Sequence, residues 1–206
     1  MEELESIEVN LHEGPFPHAI VNNFYNEEEL ELIWEELKYY TKPGKLLEVD
    51  DYGGVQGYTN AKAILLDTLY QNRTKSGGLN WRIMSNILTV NRKLFSSGIL
   101  DVFADISDCC CLANNGDKYD PHTDRGFHFL AFSYFYKEPK KFEGGQLYFP
   151  KYNYEVPCDN NSMIIFPGWV EHGVRKVTIK DSDYFDGYGR YAITSFFSSK
   201  PRSVDN

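Results

Sequence analysis

Between Glu27 and Tyr39, Leu30, Ile33, Trp34 and Leu37 recur at helical spacing, with glutamates opposite them. The pattern predicts an amphipathic helix capped by Asn26, whose early glutamates complement the helix dipole. Pro15 to Phe24 reads as a short strand before it, and a second helix is expected over about Leu79 to Phe95, with Ile83, Ile87, Leu88, Leu94 and Phe95 on one face. Between these helices, Thr41 to Asn60 carries Pro43, Gly44, Gly53, Gly54 and Gly57, as a long mobile connection or lid would. Beyond Leu100 the texture changes to short β-rich runs: Phe129 to Tyr136, Gln146 to Phe149, Ser162 to Phe166, His172 to Ile179 and Arg190 to Ser198. Runs of this length, joined by Gly-Gly, Pro-Gly and Asn-Asn, predict a double-sheet antiparallel jelly roll. The expected organisation is one domain, 1–206, mainly β with flanking helices, in which 1–100 supply helical support and a lid loop and 101–206 the jelly-roll core.

Composition refines this picture. The 206 residues are 42% hydrophobic and 25% charged, as in a soluble globular domain. Aromatics reach 16%, and 20 of the 32 fall in the 88 residues from Tyr119 onward, which suits strands around a rigid cavity. The net charge of −9 opposes non-specific nucleic-acid or anionic-lipid binding. That charge is local: residues 1–50 hold 13 acids and 3 bases, whereas 51–206 hold 17 acids and 18 bases, so the core is nearly neutral. No run approaches the ~20 apolar residues of a membrane span, and the first ten residues are acidic, so the expected location is the cytoplasm. Cys109, Cys110, Cys111 and Cys158 form neither a disulfide framework nor a zinc spacing and read as reduced packing residues. Nothing in the sequence sets an oligomeric state.

The chemistry-bearing residues lie in the second half. On an extended chain residues i and i+2 project to one side, so His122 and Asp124 of His122-Thr123-Asp124 can share a metal. His172 stands 48 residues later at the start of a predicted strand. Two histidines and a carboxylate are the facial donor set of non-haem Fe(II) oxygenases, and three protein ligands also suit catalytic zinc. His128, four residues after Asp124, is a poor candidate because Gly126 interrupts the segment and an apolar run begins there. Gly144-Gly145 lacks the strand-helix context of a phosphate loop and points to close packing or a bulge. Trp169 either lines a substrate channel or closes the barrel end.

In order, His122-x-Asp124, Gly144-Gly145-Gln146-Leu147, His172-Gly173-Val174 and Gly189-Arg190-Tyr191 resemble the motifs of the prolyl 4-hydroxylase-like Fe(II)/2-oxoglutarate-dependent dioxygenases. The resemblance extends over about Pro15 to Phe197, including the opening Pro15-Phe16-Pro17-His18-Ala19-Ile20-Val21-Asn22-Asn23-Phe24. It implies a double-stranded β-helix (cupin-like) core, Fe(II) held by His122, Asp124 and His172, and 2-oxoglutarate and O2 as co-substrates, with ascorbate as a possible reductant. Arg190 then anchors the distal carboxylate of 2-oxoglutarate, since a guanidinium meets a carboxylate in bidentate fashion and keeps its charge. Arg190 and Thr194 alternate onto one strand face, so Thr194 is expected to bind the same carboxylate, and Tyr134 corresponds to a co-substrate tyrosine of the family. Ala113 stands where relatives commonly have another such tyrosine, for which Tyr119 is the candidate substitute. A second departure is the 18-residue gap from His172 to Arg190, filled by an enlarged loop, Lys180 to Tyr188. Arg175, Lys176 and Lys180 are nearer but lack the Gly-Arg-Tyr setting.

The implied reaction is hydroxylation of an unactivated C–H, and retention of Asp124 opposes the halogenase branch, where a small residue makes room for halide. A prolyl residue of a peptide or protein is the first expected substrate, and a free amino acid or small metabolite the next. A zinc-dependent jelly-roll hydrolase and a non-catalytic jelly-roll binding protein are the competing classes.

Overall fold

The computed structural model describes residues 8–42, 44–48, 61–66, 103–112, 115–180 and 186–198. The chain enters through strands β1 (Glu8–His12) and β2 (His18–Asn22), paired antiparallel, and then helix α1 (Glu27–Tyr40). Asn26 caps α1 as expected: its side chain accepts from the Glu29 backbone N–H while the Glu29 carboxylate accepts from that of Asn26, a reciprocal capping box. Short strands β3 (Leu47–Glu48) and β4 (Lys62–Leu65) lead to β5 (Phe103–Leu112). The expected helix at Leu79 to Phe95, and all of the Thr41 to Asn60 connection beyond Glu48, lie outside the described residues.

The remaining strands are β6 (Tyr119–His122), β7 (Phe129–Phe135), β8 (Phe142–Glu143), β9 (Leu147–Phe149), β10 (Tyr154–Val156), β11 (Ser162–Pro167), β12 (His172–Val174), β13 (Thr178–Ile179) and β14 (Arg190–Ser198). They form an eight-stranded sheet, β1-β2-β11-β7-β14-β5-β4-β3, a four-stranded sheet, β10-β9-β12-β6, and the pair β13-β8. Every pairing is antiparallel, and the two larger sheets make the jelly roll.

Successive side chains of a strand face opposite sides of its sheet. In the large sheet this divides the core in two. Phe129, Ala131 and Phe135 of β7, Met163 and Ile165 of β11, and Tyr191, Ile193 and Phe197 of β14 pack with Ile33 and Leu37 of α1. The residues between them, Leu130 and Tyr134, Ile164 and Phe166, and Ala192, face the small sheet and meet Leu147, Phe149 and Val174. β7 is buried on both faces because it lies between β11 and β14 under both layers.

Two strand readings are corrected. The predicted run His172 to Ile179 is two strands: after Val174 the chain leaves β9, and β13 pairs β8. Across the break, Arg175 N–H donates to Gln146 O at 2.9 Å and Val177 N–H to Asp117 O at 2.8 Å, so the backbone stays paired outside a ladder. The strand expected over Pro15 to Phe24 is only its central five residues, because Asn23 takes φ +50° and ends the extended run. β1 was not foreseen: its five residues alternate polar and apolar, but the strand is short, occupies the sheet edge and buries no residue fully.

Candidate metal centre and carboxylate pocket

The small sheet carries the metal-binding side chains. His122 ends β6 and His172 begins β12, and the two are directly paired across the ladder. Three steps along β6, from Tyr119 to His122, span what only two steps cover on β12, so β6 bulges. The bulge turns Tyr119 to the side of His122, with ring centroids 4.8 Å apart. Asp124 lies just past β6, where its backbone N–H donates to Gly168 O at 2.8 Å. That bond clamps the Asp124 turn to the Pro167–Val170 turn preceding His172. Gly168 is required there, since a Cβ would stand 2.5 Å from Phe127 O and 2.6 Å from Asp124 O.

Ligating atoms of His122, Asp124 and His172 all lie within 4.8 Å of one another. Asp124 Oδ2 is 3.7 Å from His122 Nε2 and 3.4 Å from His172 Nε2. Each imidazole is oriented from behind, His122 Nδ1 bonding to Asp120 O and His172 Nδ1 to Val170 O, both at 2.9 Å. A carbonyl only accepts, so both Nδ1 atoms carry the proton and both Nε2 lone pairs face the centre. Burial holds the His122 pKa below its ordinary value, reinforced by His172 and opposed by Asp124 and the Asp120 backbone. A neutral imidazole is the metal-binding form. His172 is fully buried and among the described residues its Nε2 has no hydrogen-bond partner. A buried nitrogen lone pair beside a carboxylate and a second imidazole lone pair fits a divalent cation, which would satisfy all three. Phe166, Phe132 and Phe149, with centroids 4.9, 5.9 and 6.5 Å from the His172 ring, wall it off from water.

Arg190 begins β14 on the large sheet and is 1% exposed. Its Nε donates to Gly145 O at 2.8 Å and its guanidinium carbon lies 4.9 Å from the Tyr134 ring centroid, and among the described residues Nη2 and the Tyr134 hydroxyl have no hydrogen-bond partner. A buried cation with unspent donors beside an unspent phenol is a receptor for a carboxylate. Burial raises the Tyr134 pKa, opposed by Arg190, so the phenol remains a donor. Gly144 and Gly145 have φ +80° and +74°, and a Cβ on Gly145 would lie 2.9 Å from Arg190 Cδ. The close-packing reading of this pair is therefore specific: it lets the chain approach Arg190 and present a carbonyl to it.

The structure thus brings His122, Asp124 and His172 together, and Arg190 with Tyr134. Thr194 is buried on the Arg190 face, four residues along β14, a rise of about 13 Å. Tyr119 packs on the His122 ring. His128 is bound through its backbone, N–H to Phe197 O and O to Gly168 N, and stands outside the donor cluster. Arg175 is engaged elsewhere, 2.5 Å from Glu155 and over the Tyr148 ring. Trp169 is 52% exposed, which favours a channel rim over a barrel plug. Ala113 lies outside the described residues, as do residues 181–185 of the Lys180 to Tyr188 loop. Sequence reasoning missed Gly145 as a partner of Arg190, joined to it only by folding.

Residues 108–198, which contain every one of these site residues, match the family model described as the 2OG-Fe(II) oxygenase superfamily. Among solved structures, a Pseudomonas putida prolyl-4-hydroxylase aligns with TM-score 0.61 at 15% identity, over 89% of this chain and 92% of its own. A Trichoplax adhaerens prolyl hydroxylase, in complex with a hypoxia inducible factor peptide fragment, aligns with TM-score 0.61 at 14% identity, over 88% and 83%. The non-heme alpha ketoglutarate dependent epimerase SnoN from nogalamycin biosynthesis aligns with TM-score 0.62 at 11% identity, over 88% and 76%. At these identities the likeness is one of fold. No curated protein sequence matches the chain.

Proposed function

We propose that the chain is a 2-oxoglutarate-dependent dioxygenase using Fe(II) with 2-oxoglutarate and O2, a reading supported by the family-model match over residues 108–198 and the His-Asp-His donor set, and that it hydroxylates a prolyl residue of a peptide or protein. The observation that carries the site reading is the pair of buried donors without hydrogen-bond partners among the described residues, Arg190 Nη2 and the Tyr134 hydroxyl, in the same protein as a His-Asp-His cluster. When bound, Fe(II) couples oxidative decarboxylation of 2-oxoglutarate to succinate and CO2 with conversion of a substrate C–H to an alcohol.

The residues divide the work. His122, Asp124 and His172 hold the cation on one side, leaving its other positions to the co-substrates. Arg190 and Tyr134 receive the distal carboxylate, and Thr194, on the same strand face, adds its hydroxyl to that pocket. Tyr119 steadies the His122 ring, and Phe132, Phe149 and Phe166 keep water from His172. Asp124 occupies the position a halide would need, which supports hydroxylation. Trp169, exposed on the turn clamped to Asp124, offers a flat apolar surface to an incoming prolyl ring.

The peptide-bound Trichoplax adhaerens neighbour supports a peptidyl substrate; a free amino acid or small metabolite is the alternative within the same chemistry. No helix among the described residues is long and apolar enough to cross a membrane. The free, buried Cys158 suits the reducing cytoplasm, and ascorbate is the expected reductant. The test is Fe(II)-dependent formation of succinate from 2-oxoglutarate, with and without prolyl peptides and a metabolite panel. Stimulation by a prolyl peptide with a mass gain of one oxygen is expected. Stimulation by a metabolite alone overturns the prolyl assignment, and zinc-supported hydrolysis without succinate overturns the class.

A further inference from the structure

The chain returns to the large sheet through Asp186, Gly187, Tyr188 and Gly189, and the return is irregular at Arg190. On one side Arg190 pairs with Leu112 of β5, but on the other the β14–β7 ladder begins at Tyr191, opposite Phe135. Arg190 therefore stands one residue outside that ladder. A further tie to the β7 side is Lys137 N–H, which donates to Gly187 O at 2.9 Å. Four steps of chain from Gly187 to Tyr191 thus lie against two from Phe135 to Lys137, so the approach to β14 bulges with Arg190 inside the bulge.

Lys137 pins the far end of this bulge with its side chain as well as its backbone. Its ammonium donates to Asp186 O, and its stem lies on Gly187, where a Cβ would stand 2.6 Å from Lys137 Cε. The turn is also closed from within, Tyr188 N–H donating to Asp186 Oδ1 at 2.8 Å and Gly187 N–H to the Tyr191 hydroxyl at 3.2 Å. The Tyr188 ring meets two cations, with Lys141 Nζ 3.4 Å and Lys137 Nζ 5.5 Å from its centroid. Lys137 follows Tyr134 by three residues, so this clasp ties the run of chain that carries Tyr134 to the one that carries Arg190.

We propose that Lys137 is a positioning residue for Arg190: by pinning the Asp186–Tyr188 turn it fixes the bulge that carries Arg190 and keeps the guanidinium aimed, beside Tyr134, at the distal carboxylate of a 2-oxo diacid. The inference rests on the reading of Arg190 as the co-substrate anchor. A two-pronged contact with a carboxylate demands narrow geometry, and backbone drift of about 1 Å at the root of the side chain is enough to spoil it.

The test measures binding to the full chain loaded with Mn(II) in place of iron and without O2, by calorimetry. Two ligands are compared: 2-oxoglutarate, and pyruvate, which has the same 2-oxo acid end and no distal carboxylate. Lys137→Met keeps the stem on Gly187 and loses the ammonium. It is expected to weaken 2-oxoglutarate roughly threefold to tenfold, the scale of one lost hydrogen bond, and to leave pyruvate unchanged. Lys137→Arg returns a cationic donor and is expected to stay within about twofold of the parent. Should the methionine variant not fold, Tyr188→Leu opens the same clasp from the ring side and is expected to show the same selectivity with a loss of about twofold to fivefold. Equal weakening of both acids marks a clasp that only stabilises the fold and overturns the proposal, as does unchanged 2-oxoglutarate affinity in these two variants. Arg190→Lys separates the two readings: if it too leaves 2-oxoglutarate affinity unchanged, the anchor assignment falls and Lys137 with it; if it weakens 2-oxoglutarate while Lys137→Met does not, only the role of Lys137 falls.

Discussion

The two layers on either side of the large sheet are made from alternate residues of the same strands, yet they differ in what they leave unsatisfied. The helix-side layer, with Ile33 and Leu37 against Ile165, Ile193 and Phe197, is an apolar packing of the kind that closes on itself. The layer between the sheets is also aromatic and aliphatic, but with it are His172, Arg190 and Tyr134, each with a buried polar atom that has no hydrogen-bond partner among the described residues. On the helix side Ser133 Oγ is such an atom, a small neutral hydroxyl. A buried guanidinium with a spare N–H costs far more than a hydroxyl unless something enters to meet it. The comparison teaches that one layer stabilises the fold and the other spends part of that stability on holding donors ready.

The sharpest break between the layers is at the metal. Asp124→Ala removes the carboxylate shared by both imidazoles and is expected to lower Fe(II)-dependent succinate formation by more than about 100-fold, with metal content falling in parallel. Full coupled turnover in that variant would sink the ligand assignment. On the other face, Ile193→Ala is expected to destabilise the chain by about 2–5 kcal/mol in urea unfolding, while the KM for 2-oxoglutarate of the folded protein stays within about twofold. A large KM change there would show that the layers are coupled. Arg190→Lys keeps charge but loses the fork, and should raise the KM for 2-oxoglutarate by about 30- to 100-fold, the equivalent of about 2–3 kcal/mol, with little change in unfolding midpoint.

Gly145→Ala tests the seam between sheet and anchor. Its Cβ would press on Arg190 Cδ at a positive φ, so both stability, by about 1–3 kcal/mol, and 2-oxoglutarate affinity should fall together. The smallest effect is expected at His18, buried between Phe16 O at 2.9 Å and the Tyr154 hydroxyl at 3.0 Å. Burial, with His12, holds its pKa down against the Phe16 carbonyl. The unfolded chain therefore takes up a proton near pH 6.5 that the folded one resists. Stability should decline as pH falls below about 6.5 toward the folded pKa, and His18→Gln should flatten that slope in urea midpoints measured against pH.

Much of the site was legible because its spacing is local. His122 and Asp124 are two residues apart at a strand end, α1 announces its own cap, and Arg190 shares an alternating face with Ala192 and Thr194. The bulge in β6 was not legible, since it exists only in the register against β12, and it is what puts Tyr119 on His122. Nor was the break after Val174, where hydrophobic alternation continues while the chain changes its strand partner.

By itself the sequence determined which residues could be ligands, which face of each long strand was apolar, and that the acidic first fifty residues stand apart from a nearly neutral core. Those properties depend on side-chain chemistry and on the period of the backbone, both of which are local. Tertiary structure alone decided that Gly145 meets Arg190 from 45 positions away, and that among the described residues Nη2 of Arg190 and Nε2 of His172 end without hydrogen-bond partners. Pairing across sheets is set by register and closure of the barrel, and the satisfaction of a buried atom is known only once every neighbour that could reach it is in place.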